Sequence, residues 1–473
     1  MEALVNFILN FYLVFFILFF IGVNITYTAL LIMSVREILY HLRHNRFTDY
    51  RSIVQSELTP PVSILAPAYN EEATIIQSVK SLLKLSYGKY EVVVINDGSK
   101  DGTLAQLIEN FKMYQSQQVY HQRIKAKPIR GMYKSKLPEY KNIVVVDKQN
   151  GGKADALNVG INVARYEYIC CIDADSLLED DALQRVMTTF LEDEDVVAVG
   201  GIVRIANGCE VVDGRVVRVG LSHRVVPIFQ VVEYFRAFLC GRMSWQGING
   251  LLIISGAFGL FKRSAVLEVG GYKHDSVGED MELIVRIHRT KREKRERYRI
   301  VFVPDPVCWT EAPETLKVLS RQRNRWHRGL LDTMLIHRKM LFNPYYGVVG
   351  MAAMPYFVFV ELLGPVIEFF GYVTMVLLLV FGELNIDVAI LFFIVALFYG
   401  IMYSVAAVLL EELSYQRYPN PRDLAVLLAF GVLENFGYRQ ITAWWRVKAF
   451  WDYFLGQKGW GTMQRRGFGA ATK

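Results

Sequence analysis

Two aspartates spaced i, i+2, Asp173 and Asp175, follow directly on the apolar run Tyr168-Ile169-Cys170-Cys171-Ile172. A short apolar run of this kind reads as a buried central strand of an α/β sheet. Ligands of open α/β sheets collect at the carboxyl ends of such strands, so both carboxylates stand where a ligand would sit. Hard carboxylate oxygens on one short loop suit Mg²⁺ or Mn²⁺, which bind through one or two carboxylates plus phosphate oxygens of a substrate. An isolated Asp-x-Asp also occurs as two solvated surface acids, so the surrounding elements must decide.

Those elements are legible on either side. After Pro60-Pro61, Val62–Ala66 reads as a strand that breaks at Pro67-Ala68-Tyr69-Asn70-Glu71-Glu72. Ile75, Ile76, Val79, Leu82 and Leu83 keep helical period, which predicts a helix from about Glu71. Glu91–Ile95 is a second strand, ending in Asn96-Asp97-Gly98-Ser99, with Ser99 or Asp101 capping a helix through about Phe111. This β-α-β-α order implies a parallel sheet with right-handed crossovers. Residues 112–142 are polar, lack a clear period and read as an insertion. Ile143–Val146 resumes the pattern, followed by Asn150-Gly151-Gly152-Lys153 and a helix over 154–164. Val196–Gly201 reads as a strand, and 202–250 as short strands with glycine-rich turns. Leu251–Ile254 leads into Ser255–Phe261, and Gly278-Glu279-Asp280 opens a helix through Ile287. The charged run Arg289–Arg299 is a solvated helix end or hairpin.

The flanks are of another kind. The 473-residue chain is 52% hydrophobic with mean hydropathy +0.22, high for a protein living wholly in water. Leu4–Met33 carries no charge and is long enough to span a bilayer. It lacks a basic n-region and a small-residue cleavage site, so a retained transmembrane helix is expected rather than a signal peptide. Arg36, Arg43, Arg46 and Arg51 follow it, and the positive-inside rule puts them and the central region in the cytosol, with the N-terminus outside. Near the other end, 347–381 reads as an interfacial helix and a crossing divided at Gly364-Pro365, and 386–410 as a clean span. Residues 424–441 are interrupted by Glu434 and Arg439, which leaves open whether they cross and which side the basic tail occupies. The net charge of +7 suits anionic lipid beside the membrane, and no basic stripe with exposed aromatics points to nucleic acid. The five cysteines form no Cys-x-x-Cys pair, and a cytosolic location implies free thiols.

Taken together and in order, Pro67-Ala68-Tyr69-Asn70-Glu71, Asn96-Asp97-Gly98-Ser99, Lys153-Ala154-Asp155-Ala156-Leu157-Asn158, Asp173-Ala174-Asp175, Gly278-Glu279-Asp280 and Gln322-Arg323-Asn324-Arg325-Trp326 resemble family 2 glycosyltransferases of the membrane-embedded, processive kind. That group includes cellulose, hyaluronan, chitin and poly-N-acetylglucosamine synthases. The resemblance covers roughly 62–330 and implies an α/β nucleotide-diphosphosugar transferase domain of GT-A type between N- and C-terminal transmembrane and interfacial helices. It implies that Tyr69, Glu71 and Asp97 line the nucleoside pocket of a UDP-sugar. Lys153, opening a helix after a Gly-Gly turn, would reach a phosphate at that helix N-terminus. Asp173 would face the donor, and Asp175 would be the main metal ligand, with Mg²⁺ or Mn²⁺ steadying the departing diphosphate. Asp280 would be the general base for an acceptor hydroxyl, although the same residue could serve as a helix cap. Ser255 and Gly256 match an acceptor-side loop. Gln322, Arg325 and Trp326 resemble the motif over the acceptor and pyrophosphate, arginine suiting phosphate and tryptophan a sugar ring. Alternatively Arg321, Arg323 and Arg328 make this a basic helix on lipid phosphates. Gly278 stands where the family more often has threonine or serine.

The expected organisation is a transmembrane helix at 1–35, a linker at 36–61, the transferase domain at 62–330, an interfacial region at 331–363, a membrane region at 364–445 and a basic aromatic tail at 446–473. The resemblance implies an inverting transfer from a UDP-sugar, N-acetylglucosamine first, to a growing β-linked polysaccharide or oligosaccharide at the inner membrane, coupled to its translocation and served by an accessory membrane or secretion subunit. The alternatives are a single transfer to a polyprenyl-phosphate or other lipid acceptor, and a catalytically dead membrane scaffold.

Overall fold

The computed structural model describes residues 2–45, 59–117, 119–173, 176–212, 214–382 and 385–456. Asp175, Arg46, Arg51 and the tail residues Lys458, Arg465 and Arg466 lie outside them. The described residues form two compact units interleaved in sequence, one from 59–222 with 249–312 and one from 2–43 with 223–248 and 313–456.

The first of these units is built on one sheet. In chain order its elements are β1 (Val62–Ala68), α1 (Ile75–Leu83), β2 (Tyr90–Asn96), α2 (Thr103–Asn110), β3 (Met113–Gln115), β4 (Ile129–Ser135), β5 (Ile143–Lys148), α3 (Lys153–Val163), β6 (Tyr168–Ile172), β7 (Leu177–Leu178), α4 (Ala182–Glu192), β8 (Val196–Ile205), β9 (Glu210–Val212), β10 (Arg215–Arg218), β11 (Phe258–Lys262), α5 (Arg263–Glu268), α6 (Glu279–Glu293) and β12 (Arg299–Thr310). The described strands form a ten-stranded sheet in the order β3-β4-β5-β2-β1-β6-β11-β8-β12-β7, with β9–β10 as a separate hairpin. Its centre, β5-β2-β1-β6, is parallel, and β11 then runs antiparallel to β6. Val92–Ile95 and Ile143–Val146 are buried, as expected of central strands covered on both faces.

Register brings the loops together. Ala68 pairs with Asn96 and Asn96 with Asp147, so β1, β2 and β5 end level. Ile172, the last residue of β6, stands opposite Phe258, the first of β11. The loops after β1, β2, β5 and β6 and the loop before β11 therefore open at one edge of the sheet.

Several expectations are corrected. The helix after β1 begins at Ile75 rather than near Glu71, because the N–H groups of Asn70, Glu71 and Glu72 are held by the side chains of Ser99, Thr103 and Asp101. Helix α2 begins at Thr103, with Gly102 as its cap residue and Asp101 Oδ1 accepting the Thr103 N–H. The stretch 112–142 includes β3 and β4, which extend the sheet through β4–β5 pairing. Leu251–Ile254, for which no element was expected, is irregular, with Leu251, Leu252 and Ile254 buried. Residues 225–247 are helical throughout, with a π-helical stretch at Arg236–Arg242.

Among the described residues, three stretches are long and apolar enough to cross a membrane: Phe11–His44, Val349–Val380 and Ile386–Ser414. The first belongs to a 44-residue helix, Glu2–Asn45, and packs Phe16 and Phe20 against Phe392 and Ala396. The second is divided at Leu363, where Pro365 at the start of the Gly364–Val380 helix lacks an N–H and cannot continue the preceding turn. Residues 424–441 are not one helix. The Pro421–Leu433 helix, only about 20 Å long at 1.5 Å per residue, is separated from the Tyr438–Phe454 helix by a turn in which Gly437 takes φ 102°.

Candidate active site

The first two edge loops are sewn to each other. Asn70, with φ 56°, donates its backbone N–H to Ser99 Oγ (3.0 Å) and accepts the Lys100 N–H on its side chain (2.9 Å). Glu71 donates its N–H to Thr103 Oγ1 and accepts the Thr74 hydroxyl, both at 2.9 Å. Glu72 Oε2 accepts the Gly102 N–H at 2.9 Å. Glu72 is thus a loop tie, and Tyr69 is left 45% exposed at the rim.

A buried lysine organises the next layer. Lys148, at the end of β5 and fully buried, donates to Asp97 Oδ1, to Asp155 Oδ1 (2.7 Å) and to the Gln149 carbonyl (2.6 Å). Asp97 also accepts the N–H groups of Gly151 (3.0 Å) and Gly152 (2.7 Å) and the Asn150 amide (3.2 Å). A carboxylate has about four lone-pair sites, and four donors meet this one. Burial pushes the Asp97 pKa upward, and the Lys148 and glycine hydrogen bonds only partly offset it. In this state Asp97 moulds the Gly151-Gly152 turn from which α3 starts. Gly152 takes φ 87° there, a conformation that favours glycine.

That turn delivers Lys153 to the edge. Its ammonium lies 2.5 Å from Asp173 Oδ1, with the two side chains 20% and 30% exposed, and it donates to the Gly256 carbonyl at 3.4 Å. Burial alone would lower the Lys153 pKa. Asp173, Glu279 and Asp280 outweigh it and hold the pKa above the usual lysine value, so the group is an ammonium at neutral pH. Asp280, in the first turn of α6, accepts the Gly256 N–H on Oδ2 (3.0 Å) and the Met281 N–H on Oδ1 (2.8 Å). The capping residue of α6 is Gly278, so Asp280 is not the cap. A Cβ on Gly256 would meet Lys153 Nζ at 2.7 Å and Asp280 Oδ2 at 3.5 Å, which explains a residue without a side chain between them. Ser255 turns this loop by accepting the Phe258 N–H on its carbonyl (3.1 Å).

The arrangement is fastened from behind by residues whose roles were not read from the sequence. Asn158 of α3 accepts the Tyr272 N–H and donates to the Tyr272 carbonyl, both at 2.8 Å. The Tyr272 phenol is buried against Cys171, and burial first, then Cys171, Asp280 and Glu279, push its pKa up. Asn158 belongs to the motif that opens with Lys153. Lys148 carried no signal, because a lysine at a strand end reads as solvated.

Gln322, Arg325 and Trp326 belong to the other unit, on the helix Leu316–Ile336. Trp326 is 43% exposed, whereas Gln322 Oε1 is buried without a hydrogen-bond partner. Arg323 is 2% exposed and pairs with Glu233 at 2.8 Å, and Arg328 is also buried, so neither faces lipid phosphate as the basic-helix alternative required. All five cysteines are free thiols.

Among the described residues no three histidine, cysteine or acidic side chains are grouped as a self-sufficient metal site. The donor chemistry at the edge nevertheless suits a divalent ion. Asp173 supplies hard oxygens beside a lysine, and ions of the Mg²⁺ type need only one or two carboxylates when substrate phosphates complete the shell.

A mixed sheet with a parallel centre, whose carboxyl edge gathers a lysine and several carboxylates, defines an α/β fold of GT-A nucleotide-diphosphosugar transferase type. Residues 168–405, just over half of the chain, match Glycosyl transferase family group 2, and 63–266 match Glycosyl transferase family 2. The chain belongs to glycosyltransferase family 2. It is 33% identical over 275 residues to a poly-beta-1,6-N-acetyl-D-glucosamine synthase of Staphylococcus aureus (strain COL), covering 58% of this chain and 55% of that one. A Staphylococcus epidermidis synthase of the same name is 32% identical over 274 residues, with the same coverage of each chain. The chain thus spans about half the length of the curated relatives it matches. Among solved structures, a mannosyltransferase from Pyrobaculum calidifontis in complex with GDP-Man and Mn²⁺ is similar with a TM-score of 0.47 at 18% identity, over 88% of this chain and 99% of that one. A likeness that distant carries no functional argument.

Proposed function

We propose that this protein is a membrane-bound inverting glycosyltransferase that moves a sugar from a UDP-sugar, N-acetylglucosamine first, onto a growing β-linked polysaccharide. The observation that carries the reading is the placement of Lys153 between Asp173 and Asp280 at the sheet's carboxyl edge, 2.5 Å from the former, with Gly256 leaving the space open. Lys153 would neutralise a donor phosphate at the N-terminus of α3. Tyr69, Glu71 and Asp97 would border the nucleoside, with Asp97 exchanging one of its loop partners for it. Asp280 would accept the proton of the acceptor hydroxyl as that oxygen bonds to the anomeric carbon and the bond to the diphosphate breaks. A single displacement of this kind inverts the anomeric centre. Asp173 and Asp175 would hold Mg²⁺ or Mn²⁺, whose charge would stabilise the departing diphosphate. Ser255 and Gly256 would border the acceptor, and Gln322, Arg325 and Trp326 would serve acceptor and pyrophosphate. The positive-inside bias supports a cytosolic catalytic unit at the inner membrane with an external N-terminus, and the membrane helices would pass the product outward.

The test is release of UDP by the full chain in detergent, with a panel of UDP-sugars and Mn²⁺ or Mg²⁺, the products being sized beside an Asp280→Asn control. Polymer from one donor, absent in the control, is the expected result. Release only with an added lipid phosphate would replace this reading by single transfer. No release even with accessory membrane proteins present would leave a dead scaffold.

A further inference from the structure

Arg323 lies inside the Gln322–Trp326 motif, yet it is the residue of that motif least able to meet a ligand. It is buried, and its guanidinium is committed on two sides. One nitrogen donates to Glu233 Oε2 at 2.8 Å, and the guanidinium carbon stands 4.3 Å from the centre of the Trp326 ring. Residues three apart are neighbours on a helix face, so this stacking costs the helix nothing in geometry. A cation within about 6 Å of an indole centroid is attracted to its face, and this one is shielded from water.

Glu233 is the other half of the device. It sits near the end of the Val225–Phe235 helix and receives three groups: Arg323, the Tyr438 hydroxyl (3.1 Å) and Arg446 (3.8 Å). Tyr438 is itself stacked on Phe229, with ring centres 4.5 Å apart and planes 17° from parallel. Three helices therefore converge on one carboxylate, and the carboxylate fixes the guanidinium. With Arg323 against it and 43% of its surface exposed, Trp326 has a supported side and a presented side.

We infer that Glu233 and Arg323 are positioning residues for acceptor recognition, clamping the Trp326 indole so that its exposed face is held ready for a sugar ring. The inference rests on the proposed acceptor role of Trp326. An unclamped indole would have to be ordered by each incoming ring, which weakens acceptor binding rather than donor chemistry.

The experiment compares KM for an added N-acetylglucosamine oligosaccharide with KM for the UDP-sugar, using the full chain in detergent. Glu233→Gln leaves a buried guanidinium poorly balanced and risks misfolding. The paired replacement Glu233→Met with Arg323→Met removes both charges together and tests the same contact, because exchanging a whole buried pair for apolar residues is commonly tolerated. We expect the ratio of acceptor KM to donor KM to rise about tenfold in the pair variant, the scale of one lost stacking contact. Trp326→Ala should match it, and the triple variant should add little. Arg323→Lys, keeping the charge without the planar fork, should recover part of the effect. If Trp326→Ala shifts the ratio and the pair variant does not, the clamp is refuted while the acceptor role stands. Equal increases in both KM values, or a loss of kcat alone, would mean a merely structural ion pair. A normal ratio in Trp326→Ala would overturn the acceptor role, and the clamp with it.

Discussion

Gly256→Ala isolates the Lys153 contact. The added methyl would lie 2.7 Å from Lys153 Nζ, about 0.8 Å inside the ~3.5 Å at which non-bonded heavy atoms rest. The ammonium ends a flexible side chain, so it retreats rather than strains the backbone, and its 2.5 Å pairing with Asp173 is lost. The Gly256 N–H survives in alanine, so the 3.0 Å hydrogen bond to Asp280 remains. A misplacement near 1 Å in a reacting constellation costs about 10²-fold. We therefore expect kcat/KM for the UDP-sugar to fall about 100-fold, measured by coupled UDP release. Gly256 does not occupy the left-handed region, so the melting temperature should move by no more than about 3 °C. Lys153→Ala should lower the rate at least as far, and the double variant should be no worse than Lys153→Ala alone, because both act on one contact. Gly256→Ala activity within about threefold of the parent, roughly 0.7 kcal/mol, would refute the placement of Lys153 in the donor site.

The remaining predictions concern charge. Lys148→Met strips two buried carboxylates of their cation and should destabilise the sheet unit by about 3–5 kcal/mol, read as a fall in its unfolding midpoint. His288 donates Nε2–H to the Leu251 carbonyl and accepts the Tyr298 hydroxyl, and burial pushes its pKa down to about 4 from 6.5. The unfolded chain then binds the extra proton between pH 6.5 and 4, so stability is full above 6.5 and falls by about 3 kcal/mol on acidification to 4. His288→Gln should flatten that part of the stability–pH curve. Chelation with EDTA should abolish UDP release and Mn²⁺ restore it. Asp173→Asn should raise the Mn²⁺ concentration needed for half-activity, whereas unchanged activity in EDTA would remove the metal from the proposal.

Strands β1, β2, β5 and β6 are legible because a parallel sheet covered on both faces demands unbroken runs such as Glu91–Ile95 and Ile143–Val146. Their loops could be placed at one edge for the same reason. Strand β4 could not be read: Ile129-Arg130-Gly131-Met132-Tyr133-Lys134-Ser135 has no two-residue hydrophobic period, and its pairing with β5 is what holds it. Leu251–Ile254 shows the converse, an apolar run buried without being a strand, which periodicity cannot distinguish. Residue types also misled where partners lie far away in sequence. Lys148 reads as a solvated strand end until Asp97 and Asp155 surround it, and Arg323 as a lipid-facing cation until Glu233 meets it. The motif residues were visible as chemistry, but the fastenings behind them were not.

Helix α3 carries Lys153 on its first residue and, through Asn158, grips the backbone of Tyr272, on the approach to Asp280. One rigid rod thus spaces the cation from the segment that supplies the acid, as a jig spaces two tools. The loop 251–257 closes the frame from the other side, its Gly256 meeting Lys153 through the carbonyl and Asp280 through the N–H.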